Sequence, residues 1–232
     1  MEYTLKYLLE NSKLPGRRAN LELLYDFEKC ATEKIVLDCL AVKNHDLNNT
    51  PEEFAIMCGV VGYCKVNKDD VCGVFDFLEE YAQSYSWRVR ESVAMGIQSM
   101  LILNEYKSLE VIKSWLNKTH LHQRAMIAGL CIPKLQTIEI IYRETAIILE
   151  QLMKEVLNWN GQLSEGQKAL RKALGYCWSI AIEANPDSMK LEFEKYLRYE
   201  NKHIVWIVRS NLKKNRLIKL DKKWVGRLTN EK

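Results

Sequence analysis

The sequence has few residues that break a helix and no stretch that resembles a flexible linker. Among its 232 residues are ten glycines and four prolines, and no segment is rich in glycine, serine or proline. No period-2 apolar pattern is flanked by hairpin turns, which argues against β-strands. The prolines fall between segments that have the apolar periodicity of helices; they are Pro15, Pro51, Pro133 and Pro186. These absences predict one continuous, all-α domain over residues 1–232.

Compact catalytic and metal-binding motifs are absent as well. The seven cysteines include no CxxC pair, and the four histidines are scattered along the chain, so neither a zinc site nor a redox pair is indicated. There is no Walker loop, no GxGxxG fingerprint and no GxSxG nucleophile elbow. We therefore predict no metal, no cofactor and no recognisable catalytic residue. The cysteines are expected to be reduced and buried.

No segment is suited to crossing a bilayer. The apolar stretch 138–149 is interrupted by Glu139, Arg143 and Glu144, which is unsuitable for a membrane-spanning helix. The first six residues lack the apolar core and the small-residue cleavage site of a signal peptide. We expect a cytoplasmic protein with no membrane partner.

Apolar periodicity predicts thirteen helices, two of which begin with a capping box. In a capping box, a hydroxyl at the helix start and a carboxylate or amide three residues later satisfy each other's backbone donors. The segments 50–53 (TPEE) and 164–167 (SEGQ) fit this pattern. The predicted helices are 3–10, 17–30, 32–43, 51–65, 69–83, 87–103, 105–117, 120–132, 138–158, 165–184, 187–199, 203–214 and 221–228.

An arginine recurs near the start of successive predicted helices. Arg90, Arg124, Arg171 and Arg209 follow one another at spacings of 34, 47 and 38 residues. Recurrence at this period is typical of stacked helix pairs and predicts a HEAT-like α-solenoid, an α–α superhelix of antiparallel helix pairs. Its parts would be N-terminal capping helices (1–68), four clearer repeats (69–217), and a basic C-terminal helix and tail (218–232).

Two roles are open for the recurring arginines. They could join neighbouring repeats through carboxylates; the candidates are Asp76, Glu79, Glu105 and Glu192. Alternatively, they could hold an anion on the concave wall of the solenoid.

Two stripes combine cations with tryptophan. Trp206, Arg209, Lys213 and Arg216 are spaced i, i+3, i+7 and i+10, and a similar stripe precedes them at Lys168, Arg171, Gly175 and Trp178. From Arg198 onward, 11 Lys and Arg face three Asp and Glu, a net charge of +8. Such stripes suit a nucleic-acid backbone with a stacked base. The alternative is that both tryptophans belong to the core and that the cations extend along them.

Five segments carry a resemblance to a known family: 14–23 (LPGRRANLEL), 50–54 (TPEEF), 87–94 (WRVRESVA), 174–179 (LGYCWS) and 206–217 (WIVRSNLKKNRL). Together they resemble bacterial HEAT-repeat proteins placed beside the DNA alkylation repair family. The resemblance runs from about residue 14 to about residue 228 and is most specific in its C-terminal half.

The resemblance implies a curved helical solenoid whose concave face, in the relatives that are glycosylases, holds duplex DNA. Those relatives excise alkylated purines with a tryptophan and an aspartate four residues apart on one helix. The nearest segment here, 75–79 (FDFLE), begins with phenylalanine, so no catalytic residue is assigned. By repeat position, the arginines that contact the DNA backbone would be Arg90, Arg124, Arg171 and Arg209.

These observations predict a non-catalytic HEAT-repeat protein that binds the backbone of DNA or RNA, or another polyanion. The predicted contact residues are Arg90, Arg124, Lys168, Arg171, Trp178, Trp206, Arg209, Lys213 and Arg216. Two alternatives are a DNA glycosylase that excises alkylated purines and a non-catalytic scaffold that binds a protein partner.

Overall fold

The computed structural model describes residues 3–42 and 47–230. This part of the chain contains 14 α-helices, three short 3-10 helices and no strand. The all-α class predicted from the sequence is therefore confirmed. The chain divides into two compact units, one ending at Lys113 and the other beginning at Ser114. The single continuous domain and the solenoid stay predictions.

The first unit is built around a central helix, α4. Its helices are α1 (Leu5–Glu10), α2 (Leu21–Cys30), α3 (Glu33–Leu40), α4 (Pro51–Val66), α5 (Val71–Ala82), α6 (Trp87–Leu103) and α7 (Glu105–Lys113). Helix α4 packs against α1, α2, α3, α5 and α6, and buried residues occur all around it, among them Phe54, Met57 and Val61. A helix that is apolar on every face is stable only when it is surrounded.

A buried ion pair joins α4 to the first turn of α6. Arg88 Nη1 donates to Glu53 Oε2 at 2.9 Å, and Nη2 donates to the Gly16 carbonyl at 3.0 Å and to Asn49 Oδ1 at 3.2 Å. The Ser86 hydroxyl donates to the other oxygen of the Glu53 carboxylate. Arg88 is 5% exposed and Glu53 is fully buried. The pair therefore connects three separate segments of this unit.

In the second unit, every second helix along the chain packs beside the next in the same series. Its helices are α8 (His120–Leu130), α9 (Glu139–Leu157), α10 (Glu165–Ala184), α11 (Pro186–Glu194), α12 (Lys202–Leu212), α13 (Asn215–Leu220) and α14 (Lys222–Asn230). Helix α10 packs against α8 on one side of the series and against α12 on the other, and it also contacts α9, α11 and α13. The three arginine-bearing helices of this unit, α8, α10 and α12, thus follow one another in space.

Most helix boundaries lie within two residues of the predicted ones, but α7 and α11 end four and five residues earlier than predicted because the chain continues there as 3-10 helix. The capping box at Ser164 and Gln167 is present. At Thr50 only half of the predicted box forms, because the Glu53 carboxylate accepts from Asn49 N at 3.1 Å and from Arg88 instead. Residues 17–20 are not helical, since Asn20 caps α2 through Leu23 N. The short helix α13 was not predicted.

All seven cysteines are free thiols, five of them buried and two, Cys30 and Cys72, exposed. Burial raises the pKa of the Cys39 thiol to about 12. Within residues 3–42 and 47–230, no helix has the length and apolarity to span a bilayer. The same ranges hold no group of three or more His, Cys, Asp or Glu placed to bind a metal ion.

Replacing Arg88 with methionine should destabilise the first unit strongly. The substitution leaves the Glu53 carboxylate buried without its cation, which costs about 3–5 kcal/mol in the free energy of unfolding. Urea denaturation followed by circular dichroism measures this loss. Arg18→Met is the matched control because Arg18 is exposed, and its effect should stay within about 0.5 kcal/mol. Equal effects of the two substitutions would contradict a structural role for the ion pair.

Candidate functional site

The first turn of α12 is held by Asn201. Its side-chain oxygen accepts from His203 N at 2.9 Å and from Ile204 N at 3.3 Å, as an N-cap residue does. Its amide donates to the Leu157 carbonyl at the end of α9, at 3.2 Å. The cap therefore positions the residues that begin α12, Lys202 and His203, relative to α9.

Trp206 lies against α10 because residue 175 is a glycine. A Cβ atom at Gly175 would lie 2.8 Å from Trp206 Cζ3 and 3.2 Å from Ser210 Cβ. The guanidinium of Arg171 covers the indole, with Cζ 4.7 Å from the ring centroid, a cation–π arrangement. Trp206 remains 38% exposed. The indole is thus held against α10 while part of it stays open to solvent.

Asn211 holds α12 and α10 in register. Its amide donates to the Leu174 carbonyl at 2.8 Å, and its side-chain oxygen accepts from Ser179 N at 2.9 Å. Both partners belong to the backbone of α10, and Asn211 is fully buried. A buried amide that satisfies backbone groups of the neighbouring helix specifies one alignment of the two helices.

A basic groove runs along the surface formed by α10 and α12. It consists of two cavities that share Lys202 and Trp206. The first, which we call the Arg171 cavity, measures about 390 Å³ and is lined by Gly161, Leu163, Lys168, Arg171, Lys202, His203 and Trp206. The second, the Arg209 cavity, measures about 540 Å³ and is lined by Glu200, Lys202, Val205, Trp206, Arg209, Ser210 and Lys213.

Cations outnumber carboxylates along the groove. Five Lys and Arg side chains line it, against Glu200 alone among the lining acids. Lys168 Nζ lies 2.6 Å from Glu165 Oε1 in an exposed ion pair. Exposed ion pairs contribute little to stability. Arg209 and Lys213 form no ion pair with any residue in the described ranges. The groove therefore carries a net positive charge that the surrounding described residues leave largely uncompensated.

His203 is buried beside Arg171 in a neutral form. Arg171 Nη1 lies 3.0 Å from His203 Nδ1, and because a guanidinium only donates, Nδ1 accepts and the proton sits on Nε2. Burial, together with Arg171 and Lys202, lowers the pKa of His203. The side chain is 3% exposed. Among the described residues, His203 Nε2 and Arg171 Nε have no hydrogen-bond partner.

The structure brings five of the nine sequence-predicted contact residues into this groove. They are Lys168, Arg171, Trp206, Arg209 and Lys213. The alternative in which carboxylates pair with the arginines is not seen at Arg171, whose side-chain hydrogen bond goes to His203. It is not seen at Arg209 within the described ranges either.

Trp178 is not available to a ligand. Its side chain is 1% exposed and packs against Phe193 and Tyr196, with ring centroids 5.5 Å away in each case. The alternative role, as a core residue, is the one that the structure shows for Trp178. The predicted stripe on α10 therefore ends at Gly175, because Trp178 is buried against Phe193 of α11 and against Tyr196.

Arg216 is separated from the stripe of α12. The helix ends at Leu212, Arg216 lies on α13, and its Nη1 is 2.5 Å from Glu183 Oε2 of α10. Arg216 cannot occupy the i+10 position on the Trp206 face of α12, because α12 ends before it. Arg216 therefore links α13 to α10 through a carboxylate. This is the joining role that was one of the two possibilities for the four recurring arginines.

Arg90 and Arg124, the remaining two arginines that were predicted to contact nucleic acid, do not line the groove. Arg90, in the first unit, donates through Nη1 to the carbonyls of Ser84 and Tyr85, the latter at 2.9 Å. It thereby satisfies carbonyls just before its own helix. Arg124 lies half-buried on α8 in the second unit.

Lys202 and His203 line the groove but were not predicted from the sequence. A signal for Lys202 was present: Lys202, Trp206, Arg209 and Lys213 are spaced i, i+4, i+7 and i+11, one face of a helix. His203 gave no such signal, because its role depends on Arg171 of a different helix. Asn211 gave no signal either, because its partners, Leu174 and Ser179, belong to a different helix.

Comparison of the chain with protein-family models, with curated proteins and with solved structures gives no match.

Gly175→Ala should displace Trp206 and destabilise the second unit. The added methyl would overlap the indole, and overpacking of this kind costs about 1–3 kcal/mol. The free energy of unfolding and the emission maximum of tryptophan fluorescence measure the two effects. Ala173→Gly serves as a control on the same helix, since it changes helix propensity without inserting an atom beside Trp206. A stable Gly175→Ala variant with an unshifted spectrum would contradict the close packing.

Stability should fall as the pH decreases through about 6.5, the ordinary histidine pKa. Because the pKa of His203 is lowered in the folded state, the unfolded chain binds the proton more readily, and the stabilisation present above pH 6.5 is lost below it. His203→Gln should flatten this part of the pH profile of the unfolding free energy between pH 5 and 8. His120→Gln, which leaves His203 in place, should retain it. Identical slopes for the wild type and His203→Gln would refute the assignment.

Proposed function

We propose that this protein binds nucleic acid, DNA or RNA, through the basic groove of α10 and α12. The observation that carries the proposal is the placement of Arg209 and Lys213, which lack ion pairs among the described residues, in one cavity with the part-exposed Trp206. Nucleic acid is the common biological polyanion that combines repeated negative charge, on its phosphate backbone, with aromatic bases.

Like charges lie close together in the groove. Arg209 and Lys213 are spaced i, i+4, and like charges at this spacing destabilise a helix by a few tenths of a kcal/mol. Lys202 and Arg209 line the same cavity, which adds a further like charge. A polyanion offsets this repulsion, and the release of its counterions favours association.

Trp206 provides a surface for a base. Its indole is immobilised on one side by Gly175 and Arg171, so little side-chain entropy remains to be lost on binding. Stacking of a base on an aromatic side chain contributes about 1–3 kcal/mol. A stacked base must be unpaired, which favours a single strand, or a base turned out of a duplex, at this position.

The HEAT-like solenoid and the relation to the DNA alkylation repair family are part of the proposal. Two observations support them. Helices α8, α10 and α12 pack in series, as the inner helices of successive repeats do. Segments 174–179 and 206–217, where the resemblance is most specific, contribute Gly175, Trp206, Arg209 and Lys213 to the groove or its packing.

A glycosylase for alkylated purines is the second candidate. One observation favours it: the Glu200 carboxylate lines the same cavity as Trp206, and such an enzyme needs an acidic residue beside an aromatic one that holds the cationic base. Incubation with N-methylated duplex DNA tests this candidate. Abasic sites that disappear in Glu200→Gln would support it, and their absence from the wild-type reaction would exclude it.

The double variant Arg209→Ala/Lys213→Ala should bind nucleic acid more weakly, and its binding should depend less steeply on salt. Loss of two phosphate contacts should reduce the slope of log K against log salt by about 1.4 for a single strand, from about 0.7 for each contact. Fluorescence anisotropy with labelled 20-nucleotide DNA and RNA, from 50 to 300 mM salt, measures the slope. The affinity at 100 mM salt should fall about tenfold.

The control is Lys34→Ala/Lys107→Ala, which removes the same charge from exposed positions of the first unit. Its affinity and salt slope should match the wild type. Two results would overturn the proposal: no salt-dependent binding of the wild-type protein to DNA or RNA, or equal weakening by both double variants. In the first case, capture of a protein partner from a nuclease-treated lysate would favour the scaffold alternative.

A further inference from the structure

We propose that the Arg171 cavity receives a terminal phosphomonoester of a nucleic-acid strand. This inference rests on the proposed function and adds to it a preference for a strand end. It is carried by hydrogen-bond donors of Arg171 and His203 that have no partner, in a cavity that also contains Lys168 and Lys202.

The guanidinium of Arg171 has one edge bound to His203 and one edge without a hydrogen-bond partner in the described ranges. Nη1 donates to His203 Nδ1 at 3.0 Å, whereas neither Nε nor Nη2 donates to any residue within the described ranges. Nε and Nη2 form the side of the guanidinium that binds two oxygens of one phosphate through parallel hydrogen bonds. The bond to His203 fixes the plane of the guanidinium and thus the direction of this edge.

His203 supplies a further donor without adding charge. Since Nδ1 accepts from Arg171, the Nε2 atom carries the proton. Nε2 is enclosed and has no hydrogen-bond partner in the described part of the chain, and His203 is one of the residues that line the cavity. Polar groups buried at this depth are normally satisfied, and an oxygen of a phosphate in the cavity would satisfy this one.

The charge of the cavity suits a dianion better than a monoanion. Lys168, Arg171 and Lys202 line it, and Glu165 offsets Lys168 alone. A terminal phosphomonoester carries a charge of about −1.5 to −2 and three strong acceptor oxygens. A phosphodiester within a strand carries one negative charge and offers fewer acceptors. The number of donors and cations therefore matches the terminal group.

The Arg171 cavity adjoins the Arg209 cavity, so a strand end bound in the first can continue along the groove. Gly161 and Leu163, from the segment between α9 and α10, also line the Arg171 cavity, and Lys202 Nζ donates to the Gly161 carbonyl at 3.4 Å. Lys202 and Trp206 line the Arg209 cavity as well. A strand with its terminal phosphate at Arg171 can thus stack a base on Trp206 and continue to Arg209 and Lys213.

The test compares three fluorescent 12-nucleotide oligothymidylates by anisotropy: one with a 5′-phosphate, one with a 3′-phosphate, and one with hydroxyl groups at both ends. We expect wild-type protein to bind one phosphorylated strand about tenfold more tightly than the hydroxyl strand, the order of effect of a bidentate charge-assisted contact. In Arg171→Lys, which keeps the charge but loses the paired donors, this ratio should approach one.

Lys168→Ala provides a second variant with a half-exposed side chain, and it should lower the ratio as well. Its matched control is Lys172→Ala, an exposed lysine of the same helix that does not line the cavity, and it should keep the wild-type ratio. Inorganic phosphate and a phosphoserine peptide serve as competitors and should displace the phosphorylated strand only at much higher concentrations than an unlabelled phosphorylated strand does.

The outcomes separate this inference from the proposed function. Salt-dependent binding without any preference for a phosphorylated end overturns the terminal-phosphate pocket and leaves nucleic-acid binding in place. Absence of binding to all three strands overturns both. Competition by inorganic phosphate or by the phosphopeptide at the concentration of the unlabelled strand also overturns the inference, because the pocket would then recognise the phosphate and not the strand.

Discussion

The close approach of α12 to α10 at Gly175 is the constraint on which the groove depends. Only a residue without a side chain leaves room for the Trp206 indole at this crossing. Asn211 fixes the register of the two helices one turn later by exchanging hydrogen bonds with the α10 backbone. With the crossing and the register set, Arg171 covers the indole, and Arg209 and Lys213 follow on the same face of the groove.

Buried polar groups have different roles in the two units. In the first unit, Nη1 and Nη2 of Arg88 are hydrogen-bonded to Glu53, Gly16 and Asn49 and hold three chain segments together, so this arginine is part of the core, although its Nε has no partner in the described residues. In the second unit, the Arg171 side chain is only partly satisfied, with one edge bound to His203 and the other without a partner in the described residues. Arg88 thus holds the core of one unit together, whereas Arg171 lines a cavity of the groove in the other.

Much of the fold and part of the site could be predicted from the sequence. Apolar periodicity and the Ser164 cap located the long helices, and cation–aromatic spacing located Lys168, Arg171, Trp206, Arg209 and Lys213. Trp178 and Arg216 could not be placed in this way. The side of α10 that becomes buried depends on where α11 and α12 pack, and the break after Leu212 removes Arg216 from the helical face. Periodicity describes one helix at a time and contains no information about its neighbours.

By itself, the sequence determined that the chain is helical, where most helices begin and end, and that its C-terminal part is basic, because these properties follow from local capping, periodicity and composition. The tertiary structure decided which cations remain without carboxylate partners and which tryptophan stays exposed. It also decided that His203, one of four scattered histidines, lies beside Arg171 as a neutral donor. Burial and hydrogen-bond partners arise between helices that are distant in sequence, so no local pattern encodes them.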